Sequence, residues 1–355
     1  MTRLTIYALC FFAFNMMPAM ACTLNPAGIV SNVNHNALDK GVNIAEIWQK
    51  SPRKPLLQSD ISNIKSLGFT FIRLPISEIW LDSDNEAVLN DIRCDIVALL
   101  NAGLVVVVDL HLSGSARKAL GGETDVEALR RLEEYWTVLG GVVNGLPSQL
   151  LYLSLLNEPP KEMENWWDFQ ENLIANLRED FPDHTFIASD IFGMYGKLDK
   201  KVPYADQNVF YDFHFYSPMF FTHHNAQWLI PAPDEREKTD NVLYPSSGNA
   251  VSDENYTKMA DYIEQGWDKA KLARLLEVYP VRWGERTGAK VLCLEFGVYR
   301  PYVDNDARLQ WLGDMKELFD EYDIPWALWN YKGGYGIYYG GRLDVEMAET
   351  LGLTP

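Results

Sequence analysis

Cysteine is scarce, with four in 355 residues and no C-x-x-C pair among them. That spacing excludes a zinc ribbon and supplies no disulfide framework. Loss of Cys10 with the leader described below leaves Cys22, Cys94 and Cys293, an odd set. Cys94 falls in a helical pattern and Cys293 in an apolar strand, so both read as small buried hydrophobes. Positive charge is short as well: 31 Lys and Arg stand against 49 Asp and Glu, for a formal net charge of -18. The basic residues are scattered, which excludes the footprint that nucleic acid requires and favours a neutral partner. No HExxH appears, His223 and His224 lack accompanying ligand spacing, and no phosphate loop follows the first apolar strand. Neither a catalytic metal nor a cofactor is expected. Low-complexity tracts, short repeats and Pro/Ser-rich linkers are missing too, so a single domain without an appended binding module, acting as a monomer, is expected.

The apolar stretch at residues 4–14 is too short to cross about 30 Å of hydrocarbon, which takes roughly 20 residues. With Arg3 ahead of it and Ala19-Met20-Ala21 behind, it reads as an export signal. The expectation is a signal at residues 1–21, a mature chain over 22–355 that begins at Cys22, and a secreted or periplasmic location without a membrane span. Ala19 stands where a lipidated Cys usually has Leu three residues before it, so cleavage without lipidation of Cys22 is preferred.

What the chain has in quantity is core: 47% of residues are hydrophobic and 13% aromatic, enough for one large α/β domain. Short apolar runs bounded by turn residues recur at 41–44, 70–74, 104–110, 151–156, 186–188, 209–213, 291–294 and 326–329. Between several of them lie helical periods, such as Val88-Ile92-Ile96-Leu99 and Leu309-Leu312-Met315-Leu318. Runs apolar throughout suit parallel strands covered by helices. Eight such units predict an α/β fold of the (β/α)8 (TIM) barrel type, with a doubly wound open sheet as the alternative.

In such a barrel, chemistry sits at the carboxyl ends of the strands. There the sequence places Arg73, then Asp109 and His111, Asn157-Glu158-Pro159, His214 and Tyr216, Glu295, and Trp329. Each alone has a packing explanation; together they converge on one mouth. Glu158 and Glu295 follow apolar strands on opposite sides of the closed barrel. Paired carboxylates are what glycosidic cleavage needs, one protonated to help the leaving oxygen and one ionised. Partial desolvation is expected to keep Glu158 partly neutral, and Arg73 to keep Glu295 charged.

On these motifs the sequence resembles the cellulase family of (β/α)8 glycoside hydrolases known as family 5. Matching positions are Arg73 in Phe-Ile-Arg-Leu-Pro, His111 in Asp-Leu-His, Asn157 and Glu158 in Asn-Glu-Pro, His214 and Tyr216 in His-Phe-Tyr, Glu295 in Leu-Glu-Phe-Gly, and Trp329. The resemblance implies Glu158 as acid/base and Glu295 as nucleophile of a retaining endo-β-1,4-glucanase. It implies Asn157 at the sugar 2-hydroxyl, Tyr216 and Arg73 orienting the nucleophile, His111 and His214 lining the site, and Trp329 as platform. Some branches of the family carry two histidines in succession after the third strand; here Leu112 follows His111.

A polysaccharide cleft combines aromatic platforms with polar side chains, so Trp48, Trp80, Trp166 and Trp228 join Trp329 as candidate subsites. Trp136, Trp267, Trp283 and Trp311 lie in helical patterns and are expected to pack. The partner expected is a β-linked polysaccharide or oligosaccharide. Mannan, xyloglucan, mixed-linkage glucan or a self-produced exopolysaccharide remain as alternative substrates, and a non-catalytic carbohydrate-binding barrel as the alternative of another class.

Overall fold

A strand buried along its whole length needs cover on both faces, and β2 (Phe71–Ile76) and β3 (Val105–Leu110) are buried at every position. The computed structural model describes residues 22–25, 38–81, 84–229, 241–250 and 257–355. In it these strands join β1 (Lys40–Asn43), β4 (Leu151–Ser154), β5 (Thr185–Met194), β6 (Val209–Phe215), β7 (Lys290–Phe296) and β8 (Trp326–Leu328). Each pairs in parallel with the next, and β8 pairs with β1. The result is a closed eight-stranded barrel, and all eight expected strands are in place. An open doubly wound sheet is thereby excluded.

Helices cover the outside. Helix Glu86–Asn101 buries Ile92, Ile96 and Leu99, the periodic stripe read in the sequence, and starts on an Asn85 cap. Helix Asp125–Val143 starts on a full capping box made by Thr124 and Glu127. After β8 the chain forms a small hairpin, β9 (Tyr338–Tyr339) with β10 (Arg342–Leu343).

The cysteines differ from expectation. Cys22 and Cys94 form a disulfide with Cα atoms 5.0 Å apart, whereas Cys293 is free and buried as expected. The reason is geometric: Cys94 lies two residues from Ile92 and from Ile96, hence on the opposite face of its helix. The same helix holds the segment at residues 22–25 a second time, since Asn101 accepts from the Asn25 amide at 2.8 Å and donates to the Thr23 carbonyl at 3.0 Å. Residues 1–21, the expected signal, lie outside the described residues. No described helix is long and apolar enough to cross a membrane.

Candidate active site

At the top of β6 and β7 the register shifts between the pairs Phe213↔Cys293 and His214↔Glu295. Leu294 is the extra residue of this bulge, and side chains replace its ladder partners. Its amide donates to Asp212 Oδ1 at 2.8 Å, and its carbonyl accepts from Asn43 Nδ2 at 2.9 Å. Irregularities of this kind re-aim side chains, and here the one re-aimed is Glu295, into the barrel mouth.

Glu295 is held on both oxygens. Arg73 Nη1 reaches Oε1 at 2.6 Å, and the Tyr216 hydroxyl donates to Oε2 at 3.1 Å. Arg73 is fully buried on β2 and also donates to Asn43 and Asn157, with Asp109 Oδ1 at 3.0 Å. Burial disfavours its charge, but Asp109, Glu295 and Asp212 raise its pKa further above the usual arginine value. Burial also opposes ionisation of Asp109, yet Arg73 and His111 draw its pKa below the ordinary value. Tyr216 keeps its proton firmly, because burial and the Glu295 charge both raise its pKa.

His214 bridges the two glutamates: Nδ1 lies 3.3 Å from Glu158 Oε1 and 3.5 Å from Glu295 Oε2, while Nε2 lies 3.2 Å from Asp212 Oδ2. Burial would lower its pKa, but Glu295 and Asp212 raise it well above the ordinary histidine value. The ring sits tightly against Gly193, a residue at φ 62° where a Cβ would come within 2.7 Å of His214 Cγ; only glycine fits both the backbone and the ring. His111 is backed in the same way, with Nδ1 3.1 Å from Asp109 Oδ2. A carboxylate there accepts a hydrogen bond from the Nδ1–H and leaves Nε2 to accept from the Gln49 amide at 2.8 Å. The His111 ring stacks on Trp329 with centroids 6.0 Å apart.

Glu158 departs from expectation. It follows β4 in a left-handed conformation, φ 42°. Burial alone would keep it neutral, but the hydrogen bond and charge of His214, and then Arg117, outweigh burial and pull the carboxyl down to about 2. In the substrate-free site both neighbours therefore favour the ionised form of Glu158. Arg117 Nη1 lies 3.0 Å from its Oε2.

The tryptophans sort differently from expectation. Trp48 is fully buried, donates to Asp95 at 2.9 Å, and is covered by Arg53 on its face and Trp80 at its edge. It has no face for a sugar. Trp166 is likewise buried, donating to the Ser189 carbonyl at 2.8 Å. Trp80 is partly buried against the core. Trp136, Trp283 and Trp311 are buried as expected, and Trp267 packs partly buried against the core. Trp228 is 55% exposed and leans on Tyr299, Tyr335 and His223. Burial pushes the His223 pKa down to about 4, so this box is uncharged at neutral pH.

Sequence reasoning passed over Arg117, Asp212, Asn43, Gln49 and Tyr335. One signal was available for Asp212. Asp109-Leu110-His111 and Asp212-Phe213-His214 repeat one spacing, and residues two apart on a strand share a face.

The model for "Cellulase (glycosyl hydrolase family 5)" matches residues 31–334 of the chain. Endoglucanase 3 of Fibrobacter succinogenes is 25% identical over 352 residues, covering 89% of this chain; the chain spans about half the length of that relative, 53%. Endoglucanase C of Acetivibrio thermocellus is 27% identical over 311 residues, covering 82% of this chain and 88% of its own. Among solved structures, Thermotoga maritima Cel5A in complex with cellobiose superposes with a TM-score of 0.72 at 21% identity, covering 89% of this chain and 98% of that one. The cellulose synthase subunit Z of Clostridioides difficile gives 0.70 at 20% identity, covering 88% and 99%. Both share the barrel fold.

Proposed function

The chain belongs to the cellulase family, glycosyl hydrolase family 5, and from that premise we propose that it is an exported, monomeric endo-β-1,4-glucanase that retains configuration, with Glu158 as acid/base and Glu295 as nucleophile. The observation that carries the reading is the approach of the two acids: one oxygen of each, with a His214 nitrogen, lie within 4.8 Å of one another. A retaining pair sits about 5 to 5.5 Å apart, whereas an inverting pair leaves roughly 6.5 to 9.5 Å for a water.

In the first step Glu295 attacks the anomeric carbon while protonated Glu158 gives its proton to the departing glycosidic oxygen. The products are a glycosyl ester on Glu295 and a free aglycone hydroxyl. In the second, Glu158 takes a proton from water, whose oxygen attacks the same carbon and releases Glu295. Arg73 and Tyr216 suit the nucleophile role, since both donate to a carboxylate that must stay ionised and correctly aimed. Asn157 has its Oδ1 occupied by Arg73, which turns the amide nitrogen toward the sugar 2-hydroxyl. His111, His214 and Trp329 would line the subsite at the cleaved bond, and Trp228 would extend it.

Export rests on the residue 1–21 pattern and on the Cys22–Cys94 bridge, since disulfides persist in oxidising compartments. A Cys22 sulfur engaged in that bridge is not available for a lipid, which favours residues 22–355 as a soluble mature domain.

The test is product analysis on defined cello-oligosaccharides, mannan and xyloglucan, with NMR of the first anomer released. Cleavage of internal β-1,4-glucosyl bonds with the β-anomer first is expected, and failure to cut any β-1,4-glucan would overturn the reading. Glu295→Gln should lose activity by roughly 10³-fold or more.

A further inference from the structure

Both oxygens of Glu158 are occupied by cations. Oε1 faces His214 Nδ1 at 3.3 Å, and Oε2 faces Arg117 Nη1 at 3.0 Å. Two cations against the carboxylate disfavour the proton that a general acid must carry.

We propose that Arg117 is a positioning residue for Glu158, holding Oε2 in the resting site and releasing it when the carboxyl takes up the proton it will donate. This rests on the reading of Glu158 as the acid/base.

The two grips are unequal. His214 is itself held by Asp212 behind and Glu295 beside it, and a proton on Oε1 would sit against this imidazolium. The Arg117 side chain is 31% exposed and can withdraw into water. Oε2 is therefore the oxygen that carries the proton.

The mounting of Arg117 is specific. Its helix, Gly114–Leu120, starts on Ser113, whose side chain accepts from the Ala116 amide. Ser113 is fastened through its amide and hydroxyl to the buried carboxylate of Glu78. The guanidinium lies over the Phe192 ring with Cζ 5.5 Å from its centroid. Phe192, like Glu158, is a non-glycine residue in the left-handed region, at φ 55°, and its amide donates to the Pro159 carbonyl at 3.1 Å. The seat of the arginine and the segment carrying the acid are thus joined.

In the resting state Arg117 lowers the Glu158 pKa together with His214 and the more distant His111. Glu295 on β7 supplies the opposing negative charge, and Tyr216 and His223 stand near with their protonation states set by burial. Removing the Arg117 charge takes away one of the two contacts that disfavour protonation. The Glu158 pKa then rises, and the acid survives to higher pH. When the proton passes to the glycosidic oxygen, the carboxylate re-forms and Arg117 can return to it.

The experiment is the pH dependence of kcat and kcat/KM on a cello-oligosaccharide for the parent, Arg117→Met, Arg117→Gln and Arg117→Lys, with the alkaline limb read from kcat, which reports the acid in the substrate complex. Both charge-removing variants should move the alkaline limb up by about one pH unit, the smaller end of what an adjacent opposite charge does. The acid limb should stay, because Arg73 still pairs with Glu295. Arg117→Lys should keep the limb near the parent position. A merely structural arginine would lower kcat/KM by the same factor at every pH; an alkaline limb that stays put, or moves down, in Arg117→Met and Arg117→Gln overturns the proposal. Glu158→Gln separates this from failure of the acid/base reading itself: parental activity in that variant removes Glu158 from the chemistry altogether.

Discussion

Trp48 and Trp228 both follow barrel strands, yet one is fully buried and the other 55% exposed. The difference lies in partners distant in sequence. Asp95 and Arg53 take the indole nitrogen and the face of Trp48, whereas Trp228 touches other rings at T-shaped or tilted angles and stays more than half exposed. Their alanine variants should therefore fail in opposite ways. Trp48→Ala should lose about 3 to 5 kcal/mol of stability, the usual cost of emptying a buried aromatic site. Trp228→Ala should keep its melting temperature and lose roughly 3- to 10-fold in kcat/KM on long cello-oligosaccharides, as one stacking contact is worth about 0.5 to 1.5 kcal/mol. Thermal melts and kinetics on the two proteins check this; a stable Trp48→Ala with weakened substrate binding would return that residue to the cleft. At this scale the polar motifs were legible, because His111, Asn157, Glu158, His214, Tyr216 and Glu295 each stand at or just past the end of an apolar run, whereas Arg73 is an isolated charge inside one, with β2 running on to Ile76. The charge state of Glu158 was not, since it depends first on a His214 kept charged by its carboxylate neighbours and then on Arg117, which comes from a short helix with no strand-end signature.

The eight strands were legible as elements because each is a short apolar run between turn residues. The bulge between β6 and β7 was not, because it depends on which backbone groups find side-chain partners. Asp212 serves it twice, accepting from the Leu294 amide and facing His214 Nε2 at 3.2 Å. Two substitutions separate these tasks. Asp212→Asn keeps an oxygen for the amide while removing the charge behind His214, so the His214 pKa falls. A protonated histidine with a raised folded pKa contributes stability in full below its unfolded value and loses it as pH rises through the folded one. Asp212→Asn should thus lose stability relative to the parent mainly at neutral and lower pH, with a smaller deficit above the parent's His214 pKa. Asp212→Ala should lose about 1 to 3 kcal/mol more than Asp212→Asn at every pH, the cost of a buried donor left without its acceptor. Denaturant melts of the three proteins across pH provide the measurement, and equal losses in both variants would remove Asp212 from the bulge.

Over the whole molecule, a chain of net charge -18 gathers Arg73, Arg117 and His214 around four carboxylates at the barrel mouth, so the local balance there is far from that of the surface. The other feature that depends on distant parts of the chain is the bridge from Cys22 to Cys94, closing a sequence separation of 72. Counting cysteines could not find it, because parity misleads when one thiol stays free; the helical face of Cys94 could have. In the chain-entropy picture a loop of that length restricts the unfolded state by about 4 kcal/mol, with native bridges commonly worth about 2 to 5. Cys94→Ser should therefore lower the unfolding free energy by about 2 to 4 kcal/mol. It should leave kcat/KM unchanged, since the bridge fastens residues 22–25 to the outer face of helix Glu86–Asn101, away from the strand ends. Peptide mass spectrometry of exported protein should find Cys22 joined to Cys94 and Cys293 alkylated only after unfolding. A diacylglyceryl group on Cys22, or both cysteines alkylated without reductant, would refute the bridge and with it the soluble mature form.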